Sequence, residues 1–226
     1  MSRRGTGPPT PEGVSIRTAE TSDVEELMRF FVGLESEATI GRLWGDPPSE
    51  AAIYLTPYVG GDAASVLTAE VDGTLAGYLA GCYDTARFPS EADRFEFALR
   101  THRPFRRPGS VRFFARSVAD ARIDKVLRRA TATDLVDERW PAHLHIQVAG
   151  AWHGTGVADA LMSTWLDHLR ERRVSGCHLQ TLLQNQRARG FFARHGFVPY
   201  GDVAQVPGVR HDRRRVQLVT MVRALP

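Results

Sequence analysis

Three observations predict an α/β fold for this chain. Residues 65–71 and 74–83 are runs of strand formers joined by Asp72-Gly73, the pair that supplies the positive φ of a two-residue hairpin turn. Along His143–Val148, Leu144, Ile146 and Val148 alternate with His143, His145 and Gln147. The chain then turns on glycines into a segment with Val157, Leu161, Trp165 and Leu169 at helical spacing. Elsewhere too, strand-like and helical segments alternate, the pattern of helices packed on a sheet.

With 226 residues the chain has the length for one large domain or one domain with an insertion, and a single domain over 14–226 is expected. No apolar run reaches the ~20 residues that cross a bilayer, and the N-terminus leads into Pro-rich sequence, so a soluble, cytoplasmic protein without membrane contact is expected. Cys82 and Cys177 sit in apolar runs without metal-site spacing, which predicts buried thiols and no metal. The net charge is +3, carried by arginine with Lys125 as the lone lysine. The densest cluster, Arg103 to Arg107 with Arg112 and Arg116, lacks a nucleic-acid-binding pattern around it and reads as solvated surface.

Taken in order, residues 1–13 offer almost nothing to bury and are expected to be a disordered lead-in. Residues 14–17 alternate as a short strand. Ser22 with Glu25 forms a capping box for a helix carrying Val24, Leu27, Met28, Phe31 and Leu34 on one face. Gly41 to Pro48 is a break, and Pro57 argues against a long helix over 50–59. After the hairpin, 84–130 is polar and helical in pattern, divided by Pro104 and Pro108-Gly109, and resembles an insertion between strands. Phe95, Leu99, Val118, Ala121, Ile123, Val126 and Leu127 are its apolar members. A helix follows the glycine turn and ends by Gly176. Next come a strand over 177–183, a short helix over 186–194 stopped by Gly196, and a closing strand pair, 197–206 and 216–222, around Pro207-Gly208.

The turn His153-Gly154-Thr155-Gly156-Val157-Ala158 is the stretch that points to a ligand. The first N–H groups of a helix have no intrahelical acceptor and its dipole favours negative charge, so a turn of small residues there cradles phosphate. A tight strand-to-helix turn with no ligand has the same local sequence. A dinucleotide fingerprint would need glycine where Asp159 stands, and no Gly-Lys-Ser/Thr follows.

The turn resembles the Gln/Arg-x-x-Gly-x-Gly/Ala loop of the GNAT superfamily of N-acetyltransferases, and 185–197, from Asn185 through Ala188, Phe191 and Phe192 to Gly196-Phe197, resembles its Asn-x-x-Ala-x-x-Phe-Tyr-x-x-x-Gly-Phe segment. With the Asp-Gly hairpin upstream, the likeness spans residues 14–224. Residues 54–58, 84–85 and 141–146 carry a narrower likeness to bacterial members akin to the acetyltransferase-like domain of O-GlcNAc hydrolases. The resemblance implies a mixed, mostly antiparallel sheet of about seven strands, splayed in a V, with helices on both faces and a helical insertion before the fourth strand. It implies acetyl-CoA or another acyl-CoA as co-substrate. The arm would enter beside Ile146, Gln147 and Val148, the pyrophosphate would lie on N–H groups from His153 through Gly154, Thr155, Gly156 and Val157 to Ala158, and Asn185 and Phe192 would line the site. It also implies a small-molecule amine as acceptor, a monomer or homodimer, and no nucleic acid.

Three residues depart from the family pattern. His153 replaces Gln or Arg at the loop head, and Gln147 stands where close relatives of the narrower group often have Asp. Phe192 replaces the tyrosine that protonates the departing thiolate; phenylalanine has no proton to give, so Tyr200 is an alternative donor, and unassisted departure or a catalytically degenerate CoA or partner binder are the other readings. His143 and His145 are the candidates to hold the amine deprotonated, each alternatively a hydrogen-bonded core histidine. Glu138 and Asp84 are further candidates for base or amine anchor, Glu35 and Glu37 for a cationic substrate's pocket, and Arg187 and Arg189 for the cofactor's 3′-phosphate; each is otherwise an exposed residue. Trp152 either packs or walls the cofactor.

Overall fold

The computed structural model describes residues 13–37, 46–59, 64–102, 108–211 and 213–226. The lead-in, the segment 38–45 and Arg103–Arg107 lie outside the described residues, as do the side chains of Glu35 and Glu37. Seven strands form one sheet: β1 (Val14–Thr18), β2 (Ala64–Val71), β3 (Thr74–Cys82), β4 (Ala142–Val148), β5 (Gly176–Leu182), β6 (Val198–His211) and β7 (Arg214–Ala224). Their order is β1-β2-β3-β4-β5-β7-β6, antiparallel throughout except for β4 on β5. The helices are α1 (Val24–Glu37), α2 (Pro47–Tyr54), α3 (Glu91–His102), α4 (Pro108–Val126), α5 (Val157–Glu171) and α6 (Gln186–Arg194).

Alternation along the strands sorts the core into two faces. One carries Leu79, Leu144, Leu179 and Met221 against Leu161, Trp165 and Leu169 of α5 and Phe192 of α6. The other carries Val66, Tyr78 and Cys82 against Leu27 and Phe31 of α1 and Leu55 and Tyr58 after α2, extended by Ile53, Ala98, Phe113, Val209 and Val216. Both cysteines are buried free thiols. Asp72 and Gly73 have φ of 49° and 74°, as the hairpin turn requires.

Local differences from the sequence reading have physical causes. The first helical turn is capped two residues earlier than the expected Ser22–Glu25 box: the Asp23 carboxylate accepts from the Glu20 N–H at 2.7 Å and is itself held by Arg17 at 2.6 and 3.0 Å. Pro207-Gly208 is not the closing turn. The β6 strand runs on to His211, and Gly208, at φ 84°, sits in an irregularity of the β6–β7 register. It is fastened to α4 there: its N–H donates to Asp120 at 2.8 Å, and its carbonyl accepts from Arg116 at 2.7 Å.

Several apolar members of the insertion face solvent. Val118, Ile123, Leu127 and the 80 % exposed Val126 point outward, while Asp120 and Asp124 are buried. Arg210 grips Asp120 at 2.7 and 2.8 Å and Arg215 grips Asp124 at 2.6 and 2.8 Å, and these charge-assisted forks decide which face of α4 turns inward. The Arg210 guanidinium holds the Asp120 carboxyl down to about 2.

No helix among the described residues is long and apolar enough to cross a membrane, and no His, Cys, Asp or Glu cluster among them would hold a metal ion.

Candidate active site

The site begins where two strands part company. The β4 and β5 strands pair only at Ala142 with Cys177 and His143 with His178. Beyond that they diverge, while β4 stays paired with β3 as far as Val148. The β5-facing edge of residues 144–148 therefore opens as one arm of a V.

Above that edge the chain makes a short 3-10 turn (Gly150–Trp152) and enters α5 at Gly156, whose φ of 92° is a left-handed conformation suited to glycine. Among the described residues no acceptor is found for the N–H groups of Gly154, Thr155, Gly156, Val157 and Ala158. The His153 N–H differs: it donates to Gly150 O at 3.2 Å, so the set of open donors begins at Gly154 rather than His153. Thr155 spends its hydroxyl on Trp152 O at 2.8 Å.

The V and these donors share one cleft of about 630 Å³. Its walls include Ile146, Gln147 and Val148 of β4, the glycine turn, Asn185, Phe192 and Arg187 from the α6 side, and Leu34 of α1. The Asn185 carboxamide oxygen caps α6 by accepting from the Ala188 N–H at 3.0 Å. Phe192 is 6 % exposed and packs on Phe191 and Phe197. Trp152, too, both lines the cleft and packs on the core.

At the loop head, His153 meets two partners. Its Nε2 lies 2.9 Å from Val148 O and 3.1 Å from Arg187 Nη2. Its Nδ1 lies 2.9 Å from Arg187 Nη1. A guanidinium is thus docked on the rim of the cleft by an imidazole. Sequence reading offered Arg187 only as a partner for the 3′-phosphate; its pairing with a residue 34 positions away carried no local signal.

The two histidines proposed for chemistry have different fates. His143 is buried and bonded at both ring nitrogens: Nε2 to Tyr58 OH at 2.9 Å and Nδ1 to Thr85 Oγ1 at 2.7 Å. Thr85 gives its hydroxyl proton to Pro141 O, so Nδ1 donates to Thr85 and Nε2 accepts from Tyr58. Burial first, then neighbouring charges, holds His143 well below the ordinary histidine range. Its expected role as a base gives way to that of a hydrogen-bonded core histidine.

His145 is not among the residues that line the cleft, which on β4 begin one residue on at Ile146, and no hydrogen-bond partner is found for it among the described residues. Its ring is boxed by Tyr54, Tyr58 and His143 at centroid distances of 6.3, 5.6 and 6.1 Å. Burial, reinforced by the Arg94 charge, lowers it to about 4. At neutral pH it is a free base that accepts a hydrogen bond yet holds a proton weakly. Two residues on, the Gln147 side-chain oxygen is buried without a partner in the cleft wall.

Tyr200 lies outside the cleft lining. Its hydroxyl accepts from Arg139 at 2.7 Å and its ring packs on Trp140, at the opposite end of β4 from the V. The expected substitute for the missing tyrosine is therefore not at the site. Glu138 is exposed, and Asp84 is used locally, accepting from the Ala86 N–H at 3.0 Å. Arg189 donates to Leu183 O at 3.3 Å.

Residues 112–199, running from α4 into β6, match the family model described as an acetyltransferase (GNAT) domain. Among solved structures the chain is similar to one named SsHAT, with 24 % identity over 96 % of this chain and 98 % of that one and a TM-score of 0.58. It is also similar to a GCN5-related N-acetyltransferase from Kribbella flavida (19 %, 95 % and 99 %, 0.58). A third likeness is to a putative acetyltransferase from Salmonella typhimurium determined with its cofactor acetyl-CoA (17 %, 95 % of each chain, 0.56). These likenesses show the fold, and none of them carries the narrower likeness to O-GlcNAc hydrolase-type domains. A seven-stranded sheet splayed between β4 and β5, with the family model matching the very segment that forms the V, the glycine turn and α6, gives this chain the GNAT acetyltransferase fold.

Proposed function

We propose that the protein is an acetyl-CoA-dependent N-acetyltransferase that acts on a small-molecule amine by direct transfer within one ternary complex. The observation that carries this reading is the opening of the β4 edge and the free N–H groups at the start of α5 onto a single cleft. The residues present suit the co-substrate. The N–H groups of Gly154 to Ala158 suit its pyrophosphate, with Arg187 adding the positive charge that the loop head lacks. The 144–148 edge suits the amides of its arm, and the Asn185 amide and the Phe192 ring wall it.

Bound there, acetyl-CoA supplies an acetyl thioester: the C–N bond forms as the C–S bond breaks, and the nitrogen's proton ends on the thiol. On the protein side, the free-base ring of His145 accepts a hydrogen bond from the amine and orients its lone pair. Its low basicity means that the amine arrives already deprotonated. Gln147, uncharged and with its side-chain oxygen unpartnered among the described residues, supports positioning of the acceptor without drawing in a proton.

A second reading, a GNAT-fold protein that binds CoA or a partner without transfer, draws on Phe192, which has no proton for the leaving thiolate. Calorimetry with acetyl-CoA tests the premise shared by both, and absence of binding at physiological cofactor levels sinks both. Thiol release over a panel of amines then separates them. Activity that survives Phe192→Ala and is lost in His145→Ala supports the enzyme; binding without release on any amine supports the binder.

A further inference from the structure

The cleft that suits an anion also contains a carboxylate. Asp159 lies in the first turn of α5 and lines the cleft beside the open N–H groups. In that place a negative charge favours the helix dipole and opposes a phosphate in the same field. The carboxylate is tied back: Asp159 Oδ1 is 2.9 Å from Nε2 of His195, whose side chain is only 11 % exposed.

His195 is itself fixed on every side. Its N–H donates to Phe191 O and Phe192 O at the end of α6, its carbonyl accepts from Arg223, and its ring packs on Phe191 at 4.7 Å. On the other rim of the same cleft, His153 docks the Arg187 guanidinium. One imidazole thus presents a cation to the cleft while another restrains an anion.

Resting on the acyl-CoA reading above, we propose that His195 is a positioning residue of the donor site: it draws the Asp159 carboxylate away from the phosphate cradle, leaving the α5 N-terminus and Arg187 to set the sign of the field there. Without that bond, the Asp159 side chain is free to turn toward the open N–H groups and compete with the pyrophosphate for them. A tie between α5 and α6 with no bearing on the ligand is the alternative, and the two differ in their response to salt and to removal of the charge.

The experiment is calorimetry with CoA on His195→Ala, His195→Gln, Asp159→Asn and the double variant His195→Ala/Asp159→Asn. At low salt, His195→Ala weakens CoA binding about tenfold, the scale of one poorly screened charge near the ligand. The deficit shrinks to less than about threefold at 0.5 M salt, where the Debye length is only a few ångströms. Asp159→Asn in the His195→Ala background restores the affinity. His195→Gln, which keeps an N–H donor, loses less than His195→Ala. A loss in His195→Ala that is indifferent to salt, a loss that persists in the double variant, or no loss at all overturns the proposal. Should His195→Ala fail to fold, Asp159→Asn alone decides: tighter CoA binding supports the proposal, and weaker binding overturns it by making the carboxylate a contact. Failure of the wild-type protein to bind CoA is a separate result, and it removes the acyl-CoA reading instead.

Discussion

His143 and His145 stand two residues apart on the same face of β4, and only their surroundings distinguish them. His143 has both ring nitrogens committed, to Tyr58 and Thr85, whereas His145 is enclosed by aromatic rings with no hydrogen-bond partner among the described residues. Both lie low on the pH scale because burial disfavours the charged ring, but the nitrogens of His143 are committed to structure, while those of His145 have no hydrogen-bond partner among the described residues. The difference teaches that the reach of the β4–β5 pairing partitions the strand. Where β5 is hydrogen-bonded to β4, at His143, the side chain belongs to the core; where β5 has left, the site begins.

The largest effect expected along this divide is on catalysis. His145→Ala lowers kcat/KM by about 100-fold, the usual scale for a residue that handles the reacting proton or its hydrogen bond, and leaves CoA affinity near wild type. An equal loss in His143→Ala with stability intact breaks the comparison.

For His143→Ala the expected loss is in folding free energy, roughly 2–3 kcal/mol by chemical denaturation, because the buried Tyr58 hydroxyl loses its acceptor and a cavity is left. Tyr58→Phe costs less, about 1 kcal/mol, since it removes both the hydroxyl and its demand for a partner while leaving the His143 nitrogen unmet.

A pH titration sharpens the contrast further. Both histidines have folded values below their unfolded value, so the unfolded chain binds more protons between the two. Their contribution to stability is complete above about 6.5 and is lost as the pH falls through that value toward about 4. The wild-type protein is therefore expected to lose denaturation midpoint steadily from pH 7 to 4.5, and His143→Phe, where it folds, to lose less. In rate measurements the acidic limb of kcat/KM follows the pKa of the amine chosen; a fixed limb near 6.5 for every amine would reassign the base.

The smallest expected effect is at Phe192. Phe192→Tyr adds a hydroxyl to the cleft wall where a proton donor is missing, and a rise in kcat of about two- to fivefold is expected, below the roughly 10²–10⁴-fold usual for general acid catalysis because a thiolate is a good leaving group. A fall in kcat would mean that the aromatic wall is shaped for packing alone.

Much of the architecture was legible because local patterns determine local structure. Asp72-Gly73 could only be a tight turn between two apolar runs, and the two halves of the helical insertion were marked by their prolines. The glycine turn with Asn185 and Gly196-Phe197 located the donor end of the site, since a helix N-terminus is an anion site by virtue of its own backbone. The inward face of α4 was not legible, because Asp120 and Asp124 look like surface residues until Arg210 and Arg215 arrive from a hairpin some 90 positions later.

By itself, then, the sequence determined most of the strands and helices, though not α2 or the full run of β6, together with the place of the glycine turn and the absence of a tyrosine at Phe192, since these depend on residue type and near neighbours. The tertiary structure alone decided that Tyr200 lies outside the cleft, that Arg187 sits on His153, that His195 holds Asp159, and that of the two histidines on β4 one is hydrogen-bonded at both nitrogens while the other has no such partner among the described residues. Each of those depends on partners brought from distant parts of the chain, and a side chain's protonation, hydrogen bonding and access to a ligand are properties of those partners as much as of the residue.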